Sequence, residues 1–108
     1  MINGYVYLIC DPSNDLFKIG VTRNLNSKRL KQLQTGNGTE LILKYLYPSE
    51  FPFEVEKRMH WKYNHKREVG EWFYLDVKEI LNFMEDCKEK EETIRNIKEA
   101  QEKYKIIL

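Results

Sequence analysis

Long apolar segments and paired cysteines are both missing from this sequence. The longest uninterrupted apolar run covers residues 5–10, whereas a membrane-spanning helix needs about 20 apolar residues. No basic segment followed by a long apolar stretch marks a secretory signal near the first residue. The two cysteines, Cys10 and Cys87, fall in a strand-like and a helix-like segment, which argues against a disulfide framework. We therefore expect a cytoplasmic protein without a membrane partner.

Acidic residues are scarce in one part of the chain. The 108 residues, the length of one small domain, carry a net charge of +1. Residues 16–67 nevertheless hold 11 Lys or Arg against four acids, and no acid occurs between Asp15 and Glu40. A local surplus of positive charge indicates either an anionic partner, nucleic acid first, or an ordinary solvated surface. Charge alone leaves both interpretations open.

A β-hairpin is predicted near the N-terminus. Residues 5–10 and 16–21 are rich in β-branched and aromatic side chains, and a turn cluster separates them. A four-residue loop over residues 11–14 would pair Tyr7 with Lys18. The opposite face of the two strands is apolar and should form the core, since side chains alternate across a sheet. That face comprises Val6, Leu8, Cys10, Phe17, Ile19 and Val21. The Tyr7 face is mixed, and Gly20 should leave open space on it.

Three further elements follow the hairpin. A short helix is expected over residues 27–35, and a third strand over residues 41–47 should end at Pro48. A second helix should begin near Pro52 and run to about Tyr63. Together with the hairpin, these elements predict an α+β fold with a central three-stranded antiparallel sheet flanked by helices.

The last third of the chain predicts one long helix. A short strand or extended piece over residues 71–75 precedes a helix from residue 77 to about residue 103. Its packing residues should be Val77, Ile80, Leu81, Met84 and Cys87. We expect a domain over residues 1–76 and a C-terminal helix, 77–108, that packs on the domain and extends from it.

Several short motifs occur in a fixed order along residues 4–75. They are Tyr5-Val6-Tyr7, Lys18-Ile19-Gly20, Arg29-Leu30-x-x-Leu33, Glu56-x-x-x-His60 and Gly70-Glu71-Trp72-Phe73. This order resembles the GIY-YIG nuclease superfamily, in particular a branch of phage and fungal proteins whose second motif reads K-I-G. Tyr5 stands where the first motif has Gly, and Lys18 stands where the second motif commonly has Tyr. The Asn that many members carry late in the domain has no matching motif, although Asn64 and Asn82 are available.

The resemblance implies a metal-dependent endonuclease that hydrolyses phosphodiester bonds. Tyr7 would act as general base. Lys18 would either favour the Tyr7 phenolate, hold the phosphate or orient the water. Arg29 would stabilise the phosphorane, because its guanidinium grips a phosphate in two places. Glu56 would bind one Mg²⁺ or Mn²⁺, whose charge neutralises the leaving oxygen.

Other residues of the motifs have less definite expected roles. Tyr5 and His60 complete the implied catalytic set. His60 could steady Glu56, contact phosphate, assist protonation or simply pack. Glu71 is either a second acid at the site or a salt-bridge partner. Trp72 and Phe73 are expected in the core rather than as base-stacking platforms.

The expected partner is nucleic acid, with double-stranded DNA favoured over RNA. The candidate binding residues are Arg23, Lys28, Lys31, Lys57 and Lys62. No recognition helix or zinc finger is evident to read bases, so backbone contacts should dominate.

Two other functions fit the same residues. The first is a nucleic-acid-binding or assembly module that keeps the scaffold without cleavage, because a fold can persist without its chemistry. The second is a protein-interaction domain that works through the C-terminal helix, which would also allow a homodimer.

Overall fold

The computed structural model describes residues 1–25 and 41–104. Its strands are β1 (Gly4–Asp11), β2 (Leu16–Thr22), β3 (Ile42–Ser49), β4 (Arg67–Val69) and β5 (Trp72–Phe73). Its helices are α1 (Pro52–Lys62), α2 (Val77–Leu81) and α3 (Phe83–Tyr104), and a 3₁₀ turn covers Asn64–Lys66. The helix predicted over residues 27–35, and with it Lys28, Arg29 and Lys31, lies outside the described residues.

The strands form one antiparallel sheet in the order β3-β1-β2-β5-β4. The predicted α+β class and antiparallel sheet are confirmed. The described sheet has five strands rather than the expected three, because the chain after α1 turns back and adds β5 and β4 beside β2. β5 confirms the short strand that was one alternative for residues 71–75. β4 was not predicted, because its three residues are too few for an alternating pattern.

The β1–β2 hairpin pairs two residues away from the predicted register. Asp11 faces Leu16, so that the loop covers residues 12–15 and Tyr7 faces Gly20 instead of Lys18. The predicted pairing was therefore wrong. Because the shift is an even number of residues, every side chain stays on its predicted face.

The turn itself explains the later loop. The Asp11 carboxylate accepts hydrogen bonds from the Ser13 amide (3.1 Å) and the Asn14 side chain (2.8 Å). Asp15 adopts a positive φ of 54°, a conformation that Asp tolerates better than most residues. The chain therefore completes its reversal one residue later than the sequence suggested.

Both faces of the hairpin are covered. The predicted apolar face is buried and packs against α1 and α3, which confirms the predicted core. The mixed face is also buried, because Tyr7, Ile9 and Leu41 form a second cluster with Leu46 and Trp72. The expected open space at Gly20 does not exist, since the Tyr7 ring fills it.

Proline marks the start of α1 but not the end of β3. Pro52 occupies the first turn of α1, where its missing N–H costs no hydrogen bond. The predicted strand end at Pro48 was wrong, because β3 continues to Ser49 and pairs Pro48 with Tyr5. This is tolerated since β3 lies at one edge of the described sheet.

The C-terminal helix is broken at Asn82 into α2 and α3. Asp76 caps α2 in a reciprocal box with Glu79. The predicted packing of Val77 and Leu81 was wrong, since both side chains are exposed. The break places Phe83 in the core instead, and Cys87 is buried as predicted. Ile80 and Met84 pack at the edge of the same core, which confirms their predicted role.

A polar network fastens α3 to β3. The Ser49 hydroxyl donates to the buried Glu91 carboxylate and accepts a hydrogen bond from the Phe51 amide (3.0 Å). A guanidinium nitrogen of Arg95 lies 3.4 Å from a Glu91 carboxylate oxygen. Burial and the nearby Glu91 carboxylate raise the pKa of Tyr47 to about 12.

Neither Cys10 nor Cys87 is part of a disulfide. Cys10 and Cys87 are free and buried, and burial raises the pKa of both thiols. Within residues 1–25 and 41–104, no helix is both long and apolar enough to cross a membrane.

Candidate active site

Tyr7 is fixed at the centre of the sheet. It is fully buried on β1, the middle of the three long strands, and faces Gly20 on β2 and Leu46 on β3. A Cβ atom at position 20 would overlap the Tyr7 ring and hydroxyl. Only a glycine at position 20 leaves space for the Tyr7 side chain. The Gly of the Lys18-Ile19-Gly20 motif is therefore required by the tyrosine of the Tyr5-Val6-Tyr7 motif.

Lys18 lies on the same face of the sheet as Tyr7. It faces Ile9 on one side and Trp72 on the other, which makes it a diagonal neighbour of Tyr7 at about 7–8 Å between backbones. Its ammonium lies 3.4 Å from a Glu71 carboxylate oxygen and 5.9 Å from the centre of the Trp72 ring. Only 14% of the Lys18 side chain is exposed, so its ammonium is largely shielded from solvent.

Helix α1 brings Glu56 and His60 to the sheet. Val55 and Met59 face the core, so Glu56 and His60 occupy the next stripe, one residue further along the helix. The His60 Nε2–H donates to the Ile19 carbonyl at 2.7 Å, because a carbonyl oxygen can only accept. This bond leaves Nδ1 to accept a hydrogen bond or bind a cation.

Glu71 joins Glu56 and His60 from the loop before β5. The Ile19 amide donates to the Glu71 carbonyl at 3.2 Å, so Ile19 ties β2 to both His60 and Glu71. One donor atom from each of Glu56, His60 and Glu71 lies within 4.8 Å of the other two. We call these three residues the Glu–His–Glu cluster.

The Glu–His–Glu cluster has the right chemistry for one divalent cation. Two carboxylates offer the oxygen ligands that Mg²⁺ and Mn²⁺ prefer. The His60 imidazole can add Nδ1 as a ligand. Its other ring nitrogen, Nε2, donates to the Ile19 carbonyl, and a hydrogen bond of this kind is the usual support of a metal-binding histidine. The sequence left two roles open for Glu71, and the structure places it both at the cluster and in the Lys18 salt bridge.

The remaining predicted residues are less central. Tyr5 is half-buried opposite Thr22 and Pro48. Arg23 is exposed, and its guanidinium carbon lies 5.1 Å from the centre of the Phe53 ring. Lys57, in contrast, is exposed and lines a cavity of about 870 Å³ together with Glu56 and His60.

Lys62 is engaged elsewhere, in a 3.0 Å ion pair with Asp86 on α3. Asn64 lines the same cavity as Glu56 and accepts a hydrogen bond from Arg67 at 3.1 Å. Phe73 is buried and Trp72 is half-buried against the second cluster, so the preference for packing over stacking is confirmed.

The sequence analysis did not single out Arg58, Trp61 and Arg67, which also line this cavity. The helical period could have indicated Trp61, because position 61 points away from the stripe formed by Val55 and Met59. The surplus of basic residues over residues 16–67 could have indicated Arg58 and Arg67.

The model of the T5orf172 domain matches residues 4–88. The chain therefore belongs to the T5orf172 domain family, a phage-associated domain of the GIY-YIG/HNH-like endonuclease type. The match extends past residue 76 and includes α2 and the start of α3. No match was found among curated proteins or among solved structures.

Proposed function

We propose that this protein is a metal-dependent endonuclease of the GIY-YIG type that hydrolyses phosphodiester bonds, with double-stranded DNA favoured. The observation that carries the proposal is the Glu–His–Glu cluster, which adjoins Lys18 through the Glu71 ion pair. A nuclease-type family supports a nucleic-acid partner. Two carboxylates and an imidazole that converge beside a half-buried lysine form an arrangement typical of functional sites.

In the proposed reaction, water attacks phosphorus and one phosphorus–oxygen bond breaks. Tyr7, as phenolate, accepts a proton of the attacking water, directly or through a chain of waters, and the leaving oxygen takes up a proton from solvent. The products are a phosphate monoester and a free hydroxyl group. Lys18, on the same face as Tyr7, favours the phenolate or holds the phosphate. The role of Arg29, stabilising the phosphorane, rests on the family resemblance.

Glu56 and Glu71 would hold the divalent cation, and His60 would supply a third ligand or orient Glu56. When bound, the cation neutralises the leaving oxygen. Tyr7 and Lys18 lie on the sheet face, and Lys18 contacts the proposed ligands through its ion pair with Glu71.

The test is nicking of supercoiled plasmid with Mg²⁺ or Mn²⁺. Glu56→Gln and Arg29→Ala should each lower the nicking rate by about 100-fold or more, as expected for groups that stabilise transition-state charge. Glu54→Gln is the matched control, because Glu54 lies on the same helix but pairs with Lys98 at 3.3 Å. Nicking that survives both Glu56→Gln and Arg29→Ala would contradict the proposal.

The second candidate is a binding module without cleavage. It is favoured by the absence of a motif that matches the family's Asn. Salt-sensitive DNA binding without nicking would support this candidate instead. A homodimer through α3 stays a prediction.

A further inference from the structure

Trp61 is the aromatic side chain that the proposed chemistry leaves unexplained. It lies near the end of α1 and is 79% exposed. An indole is costly to leave in water, and exposed tryptophans are typical of binding surfaces. Trp61 lines the same cavity of about 870 Å³ as Glu56 and His60, so its ring shares a surface with two of the proposed metal ligands.

The charges around Trp61 fit a polyanion. Lys57, Arg58 and Arg67 line the cavity with it. Among the described residues, none of these three cations forms an ion pair with a carboxylate. By contrast, Lys62 and Glu54 of α1 pair with Asp86 and Lys98 of α3, although Glu54 lines the same cavity. Lys57, Arg58 and Arg67 thus supply positive charge beside the exposed indole that can bind phosphates, and Arg67 is held in place by hydrogen bonds to Asn64 and Gly70.

We infer that Trp61 stacks on an unpaired base beside the cleavage site, so that the substrate is duplex DNA interrupted by an unpaired nucleotide. This inference rests on the proposed nuclease function and names its substrate class. In continuous duplex, every base is already stacked between its neighbours and offers no free face to a side chain. An unpaired base does offer that face, while Lys57, Arg58 and Arg67 hold the flanking phosphates whatever the sequence.

The test is binding of labelled DNA by the wild-type protein in a metal chelator, which prevents cleavage. Two duplexes are compared, one fully paired and one with a single unpaired nucleotide. Trp61→Ala should weaken binding of the interrupted duplex by about 10-fold or more, the loss expected for one base stacked on an aromatic ring. Binding of the paired duplex should change by no more than about twofold, because it depends on phosphate contacts.

Two further variants make the test specific. Trp61→Phe keeps a smaller ring and should retain part of the preference for the interrupted duplex. Val77→Ala, at an exposed apolar residue of α2 that does not line the cavity, should bind both duplexes as the wild type does. The interrupted duplex should also quench indole fluorescence in the wild type, and this quenching should be absent from Trp61→Phe even though Trp72 is still present.

Equal effects of Trp61→Ala on both duplexes, or no effect on either, would overturn the inference. So would a loss of dimer in sedimentation with unchanged DNA binding, because Trp61 would then contact a second copy of the chain. Failure of the nuclease proposal is a separate result, since it is measured by nicking and leaves the binding preference unaffected.

Discussion

The charged side chains on the two flanks of helix α1 have different kinds of partners. On the flank toward α3, charges pair one to one across the helices. The Lys62 ammonium lies 3.0 Å from an Asp86 carboxylate oxygen, and a Glu54 carboxylate oxygen lies 3.3 Å from the Lys98 ammonium. On the flank toward the sheet, Glu56 and Glu71 converge with His60 instead. The flank toward α3 thus holds paired charges, whereas the flank toward the sheet adjoins two carboxylates, an imidazole and the Lys18 ammonium.

The difference indicates which flank serves the fold and which serves function. Opposite charges in contact need no further partner, whereas Glu56, His60 and Glu71 bring three potential metal ligands together, with Lys18 paired to Glu71. Such an arrangement is typical of functional sites. Substitutions on the α3 flank should therefore change stability, and substitutions on the sheet flank should change metal binding and cleavage.

Asp86→Ala should give the largest effect on stability. The Asp86 carboxylate accepts a hydrogen bond from the buried Tyr63 hydroxyl and pairs with Lys62. Its removal leaves that hydroxyl without its acceptor, which costs about 1–3 kcal/mol in the free energy of unfolding. Urea unfolding measures this loss, and nicking should stay at the wild-type rate. Glu85→Ala is the control, because Glu85 is an exposed neighbour on α3. A cleavage defect in Asp86→Ala would contradict the claim that the α3 flank serves stability alone.

Tyr47→Phe should have a smaller effect, which is distinguished by its dependence on alkaline pH. Burial and Glu91 raise the pKa of Tyr47 from 10.0 to about 12. The folded protein therefore keeps a proton that the unfolded chain releases, so this contribution to stability is complete below pH 10 and is lost as the pH rises toward 12.

The Tyr47→Phe variant should lose stability less steeply over that range, by at most about 1.4 kcal/mol per pH unit. Urea unfolding at several alkaline pH values measures the slope. Burial and Asp86 also raise the pKa of Tyr63, which leaves a residual slope in the variant. Identical slopes for wild type and variant would contradict the assignment.

Local patterns predicted the strands and core better than the site. Alternation along β1 and β2 placed every side chain on its correct face, because that period survives an even shift of register. The register itself depended on where the turn began, which the Asp11 side chain decides through its hydrogen bonds to the loop. A count of loop residues could not reveal this.

The site required long-range information that no local pattern contains. Glu56 and His60 share a helical stripe, so their proximity follows from the period of α1. Glu71 meets them only because the chain returns as β4 and β5 beside β2. Likewise, the burial of Lys18 depends on Trp72 and Glu71 from that returning segment. The break at Asn82 was equally hidden, since residues 77–87 also fit one continuous helix.

Titration of the protein with Mn²⁺ by calorimetry tests the central claim most directly, with melting temperature as a second readout. The wild type should bind one ion and melt at a higher temperature when it is present. Glu56→Gln and Glu71→Gln should each weaken binding by about 10-fold or more and lose the shift in melting temperature, whereas Glu54→Gln should match the wild type. Unchanged binding in both Glu56→Gln and Glu71→Gln would contradict the assignment of the Glu–His–Glu cluster as the metal site.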